Sequence, residues 1–458
     1  MRNRHRHRAG ALMCWMVVIA LPVWAAYGQK KAAGFPKPEI KEWTLANGMN
    51  VIYVGVHKTP VVTVQVWYHA GSKDEPRDRR GSAHMFEHMM FKGTTHVPPE
   101  EHARLIDRLG GDVNAFTTED MTAYHDTLPK EYLDFAVRLE AERMQNLLFR
   151  PEMINTEREV VKEEIRQREN HPIAKAFIRL REIAFVRHPY AWDAGGRIAD
   201  LDATTPADLE HFYHTYYQPN NASLIVVGDV GEEQVRSAAE AHFGAIPRAA
   251  DPPRPAKEFP EPVQQAEHHE QVEPSQIGVL IGGYKIPAAR SEDLIPLQVL
   301  ASILSDGDSS RLHQRIVRTD KAGVFTGVEL MELEDPGLML VYGAYLMPVQ
   351  GAVVEADLLD EATKLRKTPV SARELAKAKN QLATKFVVGL QEVSMLAFQI
   401  GDSLVTRGDA RAWLTDYERL MAVTAADIQR VAQSHLVPEQ LTLVRIPPKG
   451  AGAGEGGQ

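Results

Sequence analysis

A single cysteine, Cys14, occurs in the 458 residues, and it sits in the first apolar run of the chain. That excludes a disulfide within the chain, and removal of the N-terminal segment would leave no thiolate for chemistry. Positive charge is also scarce: 52 Lys and Arg face 61 Asp and Glu, a formal charge of −9. Without a basic stripe nothing can neutralise phosphates, so nucleic acid is excluded as a partner. Beyond the N-terminal segment no apolar run approaches the length of a membrane span. What remains is ordinary globular composition, 44% hydrophobic and 25% charged, long enough for two domains with cores of their own. Any metal must be held by histidine and carboxylate.

The N-terminus reads as an export signal. "MRNRHRHR" is a positive n-region, "AGALMCWMVVIALPVW" an apolar h-region, and "AAYGQ" a small-residue cleavage site. Residues 1–28 are therefore read as a signal peptide. An exported mature chain without cysteine fits a bacterial periplasm, with no stable membrane insertion after cleavage. Secretion beyond the periplasm and an uncleaved membrane anchor are the alternatives.

An internal repeat organises the rest. Residues 205–224 read "TPADLEHFYHTYYQPNNASL", and residues 424–443 read "TAADIQRVAQSHLVPEQLTL". Thr205, Asp208, Pro219 and Leu224 recur as Thr424, Asp427, Pro438 and Leu443 at one constant offset. Each copy predicts a Thr-capped helix followed, past its proline, by an apolar strand. A repeat this long predicts two similar domains, at residues 36–245 and 268–448. A proline-rich linker at 246–267 joins them, and 449–458 is a flexible tail. Strands and helices mix in both, so the expected fold class is α+β, two structurally similar α/β sandwich domains. "WTLANGMNVIYVGV" predicts two strands about an Asn-Gly turn. "DVNAFTTEDMTAYHDTLP" predicts strand, and helix is expected near 130–148, 155–187 and 205–217.

The chemistry concentrates in "GSAHMFEHMMFKG". On a helix His84 and His88 are neighbours on one face, and Glu87 lies about 60° from His84 around the axis. That arc suits a zinc ion held by two imidazoles, with a carboxylate beside it to take a proton from water. A tetrahedral site still needs a third protein ligand. "EREVVKEE" supplies acids on a helix, with Glu157 and Glu164 on one face and Glu163 turned about 100° from Glu164. His211 and His214, and His268 and His269, have no matching carboxylate segment and are read as packing or surface residues.

"GSAHMFEHMMFKGT", with Glu164 in "EREVVKEEI", resembles the pitrilysin/insulinase family of inverted-zincin (H-x-x-E-H) metallopeptidases. "GGDVNAFTTEDMTAYHDTLP" and "HFYHTYYQPNNASLIVVGDV" match the same family, and the length suits its half-sized, two-domain members. The resemblance implies one zinc ion per chain, held by His84, His88 and Glu164, with Glu87 as general base and Glu157 orienting the site. It implies that peptide adds as a strand along Asn114, Ala115, Phe116 and Thr117. The implied activity is zinc-dependent endopeptidase cleavage of peptides or unfolded polypeptides inside an enclosed cavity. A non-catalytic peptide-binding or assembly subunit that depends on a partner chain is the alternative.

Two departures stand out. The offset places the second-half counterpart of the motif at "ILSDG", residues 303–307, which cannot bind zinc. The family often supplies an arginine and a tyrosine seven residues apart from the second half. Arg318 fits, but the tyrosine position is Phe325, which has no hydroxyl to offer a developing oxyanion. The expected assembly is therefore a dimer; either Phe325 simply packs and activity survives, or, the favoured reading, the chain is the zinc-bearing subunit of a heterodimer in which a metal-free homologous subunit contributes the Arg/Tyr pair.

Overall fold

The two copies of the repeat fold alike, down to the cap. In a computed structural model that describes residues 37–450, Thr205 Oγ1 accepts the Asp208 N–H at 3.2 Å, and the Asp208 carboxylate accepts the Thr205 N–H at 2.8 Å. Thr424 and Asp427 make the same reciprocal pair at 3.2 and 2.9 Å. Each box satisfies two of the orphan amides at a helix start, opening Pro206–Tyr216 and Ala425–His435. The segment read as a signal peptide, residues 1–28, lies outside the described residues, as does the 449–458 tail beyond Gly450.

Eleven strands are described: β1 (Lys41–Thr44), β2 (Asn50–Gly55), β3 (Val61–Tyr68), β4 (Asp112–Thr117), β5 (Thr122–Pro129), β6 (Ala222–Gly228), β7 (His268–Gln271), β8 (Gly278–Lys285), β9 (Phe325–Leu330), β10 (Leu338–Tyr345) and β11 (Leu441–Ile446). They form two sheets, ordered β1-β2-β6-β3-β5-β4 and β7-β11-β8-β10-β9. Apart from β1 the orders correspond strand for strand. The parallel pairs also correspond, β2 with β6 and β7 with β11. The fold is thus the expected α+β arrangement with an internal repeat. Edge strands β4 and β9 occupy equivalent places.

Alternation along β3 sends Val62, Val64 and Val66 into the first core, while Gln65 and Trp67 point to the other face. That face is closed by a helix from the second half, Val393–Arg407. Gln65 donates to the Ser394 carbonyl at 3.1 Å, and Trp67 meets Phe398 edge-on at 5.3 Å. Gly401 lies so close under the Trp67 ring that a Cβ would sit 2.2 Å from it. The exchange is mutual. Pro172–Ala184, from the first half, covers β8 and β11, with Leu180 pressed on Gly283 and packed with Val279, Ile281 and Val444.

Buried charge ties the halves as well. Lys73 Nζ is 2.6 Å from Asp120 and also pairs with Glu334, whose own N–H donates to Asp120 at 2.8 Å. Tyr190 Oη donates to Asp120 at 2.5 Å, and His69 Nε2 lies 2.6 Å from Glu334.

Two sequence expectations need correction, and the linker gains detail. The helix expected over 155–187 is two, Pro151–Asn170 and Pro172–Ala184, broken where Pro172 disfavours helical backbone at His171. "DVNAFTTEDMTAYHDTLP" is a hairpin, β4 and β5, because residues 118–121 turn the chain. The 246–267 stretch is more than a spacer. It forms a short turn at Pro255–Glu258, and Glu261 accepts the amides of Val186, Arg187 and His188 at 2.9, 2.9 and 3.0 Å.

Candidate metal centre

The motif helix, Ser82–Met89, begins without a side-chain cap of its own. Glu75 caps it from outside, accepting the Gly81 and Ala83 amides at 2.8 Å each. Burial pushes the Glu75 carboxyl up to about 8. Phe86 turns inward, stacked on Phe212 and Tyr213, and its carbonyl accepts the Tyr124 hydroxyl at 2.9 Å. With that face anchored, the opposite one presents His84, Glu87 and His88. The Pro151–Asn170 helix packs against it and brings up Glu164 and Glu157.

His84 Nε2 and His88 Nε2 lie 3.4 and 3.6 Å from one Glu164 oxygen. All three donor atoms fall within 4.8 Å of one another. Hydrogen bonds of this type run about 2.7–3.2 Å, so the gap is longer than direct bonding prefers. It matches the edge of a tetrahedron, roughly 3.3–3.6 Å, whose centre stands about 2.0–2.2 Å from each ligand. The donor set therefore fits a zinc-sized divalent ion. Burial, reinforced by the charge of His88, pushes His84 down to about 4, so it stands in the neutral form that metal ligation requires.

Glu157 approaches from the far side of His88, its Oε2 3.4 Å from Nδ1 and its Oε1 3.0 Å from Lys92 Nζ. Burial alone would raise the Glu157 carboxyl, but its contacts with His88 and Lys92 hold it below the usual range. A carboxylate behind a ligating imidazole fixes the ring's tautomer and direction. Glu163 points away and pairs with Arg166 at 3.2 Å.

A cavity of about 560 Å³ opens over this cluster. His84, Glu87 and Glu164 line it together with Phe116 and Thr117 of β4. Among the described residues β4 is a sheet edge paired with β5 alone, and Asn114 is exposed along it while Ala115 is half-buried. Arg318 is not brought here. It lies on the wide helical turn His313–Thr319, mostly exposed, 3.6 Å from Asp308, and neither it nor Phe325 lines the cavity. The second-half wall is built instead by Glu329, Leu330, Glu332 and Asp402. Sequence reasoning missed these residues, which are far from the motif in sequence, and it missed Glu75, which is near but at a spacing no capping box uses. His214 is exposed and His268 faces the Ile183 carbonyl, as packing and surface residues do.

A second group of donors, His102, Asp126 and Glu140, is wholly buried behind the motif helix. Arg143 already supplies its cation, donating to Glu140 at 2.8 Å and standing 4.0 Å from Asp126. The group is a structural ion cluster.

With this geometry in hand, likeness to known proteins is informative. Residues 50–192 match the profile of the insulinase family, peptidase family M16, and residues 203–382 match that of the peptidase M16 inactive domain. The chain is 32% identical to the zinc protease PqqE of Helicobacter pylori over 416 residues, covering 90% of this chain and 93% of that protein. It is 25% identical to the uncharacterized zinc protease YmxG of Bacillus subtilis, covering 90% of this chain and 99% of that protein. The crystal structure of a protease from Helicobacter pylori superposes with a TM-score of 0.87 at 30% identity, over 90% of this chain and all of that one. The chain belongs to the insulinase family of peptidases, peptidase family M16.

Proposed function

We propose that this protein is a zinc-dependent endopeptidase that cleaves peptides or unfolded polypeptides within the cavity above His84, His88 and Glu164. One observation carries the reading: two imidazole nitrogens and one carboxylate oxygen converge at 3.4 and 3.6 Å, with Glu87 lining the same cavity. A zinc ion held by these three side chains supplies Lewis acidity and makes nearby water more acidic. Glu87 takes the proton from the attacking water and returns it to the leaving amine. Glu157 keeps His88 directed at the ion, and Lys92 keeps Glu157 ionised. The open edge of β4 receives substrate backbone as an added strand, with Phe116 and Thr117 nearest the reacting bond.

Phe325 and the outlying Arg318 favour a second component in this reading. No hydroxyl or guanidinium from these positions reaches the cavity, so a homologous metal-free subunit in a heterodimer contributes them. The test measures zinc stoichiometry and cleavage of a quenched fluorescent peptide by the purified chain, alone and with co-purified partner. Bound zinc with turnover that Glu87→Gln abolishes supports the peptidase reading. Bound zinc without turnover under either condition favours a non-catalytic, peptide-binding subunit. Full turnover by the chain alone removes the heterodimer.

A further inference from the structure

A cavity of about 370 Å³ lies where the first half, the linker and the second half meet. It shares no lining residue with the cavity over the metal cluster. Pro260, Pro262 and Val263 of the linker and Pro336 of the second half give it apolar sides. Lys285, the last residue of β8, reaches into it. Alternation puts Lys285 on the same face of β8 as Val279, Ile281 and Gly283, just beyond the end of the Pro172–Ala184 helix.

The Lys285 amine is enclosed and has no hydrogen-bond partner among the described residues. Its Nζ stands 3.6 Å from the centroid of the Phe185 ring, a face that attracts a cation but accepts no strong hydrogen bond. The carboxylate it faces, Glu261, is 3.5 Å away, beyond the roughly 2.7–2.9 Å of a charge-assisted hydrogen bond. Glu261 is already engaged by the amides of Val186, Arg187 and His188. The other charged or titratable groups of the cavity are His188 and Asp335, paired with each other at 3.3 Å, and the exposed Lys257. Burial pushes the Lys285 ammonium down to about 8, so about one molecule in ten carries it as free amine at pH 7, against on the order of one in a thousand for an ordinary lysine. A desolvated amine in an apolar pocket is a nucleophile, and its natural reactant is a carbonyl carbon.

We infer that this cavity is a binding and modification site for small, largely apolar aldehydes or ketones, which condense with the Lys285 amine. The nitrogen lone pair forms a bond to the carbonyl carbon, the oxygen leaves as water, and a C=N bond remains. From ammonium to iminium one carbonyl compound is gained, one water is lost, and the charge stays +1. That conserved charge favours an iminium over an acylated lysine, because the cation between Glu261 and the Phe185 ring is kept. The site is independent of the peptidase reading.

The test treats the full protein at pH 7 with benzaldehyde and cyanoborohydride, which reduces the iminium to a stable benzyl-lysine, and maps the adducts by peptide mass spectrometry. Lys58 and Lys321, both exposed, are internal references. Lys285 is expected to label at least about ten-fold faster than either, the part of its larger free-amine share that survives the weaker nucleophilicity of a less basic amine. Its rate should saturate with benzaldehyde concentration while the references rise linearly, because occupancy of a cavity saturates and chance collision does not. Lys285→Arg keeps a cation facing Glu261 and should remove the fast, saturable labelling, leaving Lys58 and Lys321 unchanged. Labelling of Lys285 no faster than the references, a fast rate that never saturates, or fast labelling that persists in Lys285→Arg overturns the site.

Discussion

The two halves of this chain share strand order, parallel pair and capping box, yet only one gathers chemistry. The difference lies in one helix and what faces it. In the first half Ser82–Met89 packs against edge strand β4 and carries histidines at one-turn spacing. In the second half Leu294–Ser305 packs against edge strand β9 in the equivalent place and is apolar nearly all round. That helix carries no histidine or acid, so it has nothing with which to ligate a metal ion. The second half instead supplies the far wall of the cavity, so one copy holds the reagents and the other the enclosure.

Substitutions can test that division of labour, beginning with the largest effect. Glu87→Gln should lower peptide turnover by about 10³-fold, the scale of a lost general base, while zinc measured by mass spectrometry stays at wild-type stoichiometry. Loss of zinc in this variant would show that Glu87 holds the ion and would redraw the site. Glu157→Gln should weaken zinc affinity by about 10–100-fold, as removal of a group behind a ligand does; competition with a chelator reads it. An unchanged affinity would mean Lys92 and the helix alone direct His88.

Smaller effects concern the caps. Glu75→Ala leaves the Gly81 and Ala83 amides unsatisfied and should cost about 1–2 kcal/mol in urea unfolding. Glu75 also predicts a pH dependence. Its folded carboxyl sits near 8 against an ordinary 4.5, so the native state keeps a proton that the unfolded chain releases. Its contribution to stability then falls as pH climbs from about 4.5 towards 8, and Glu75→Gln should flatten the thermal-unfolding profile over that window. Smallest of all, Thr205→Ala and Thr424→Ala should each cost about 1 kcal/mol. Unequal losses would show that the repeat is alike in shape but not in energetics.

What could be read from the sequence was local or periodic. Thr205 and Thr424 announced their helices through a side chain three residues from its partner, and His84 and His88 declared a shared face through helical spacing. Glu164 could be matched to them by helical phase and family pattern. Glu332 and Asp402 were invisible because each reaches the cavity across a tertiary contact that no short-range pattern encodes, whereas Glu75 caps from six and eight residues away across a loop whose spacing matches no capping box. Arg318 stands apart from the cavity lining, since a matching spacing cannot say which way a wide helical turn aims its side chains.

The exchange of covering helices has a bearing on how the molecule is made. During synthesis from the N-terminus, β1 to β6 are complete at Gly228, while the helix that shelters Trp67 and Gln65 starts only at Val393. The first sheet thus waits, one face wet, until most of the polypeptide is available to fold.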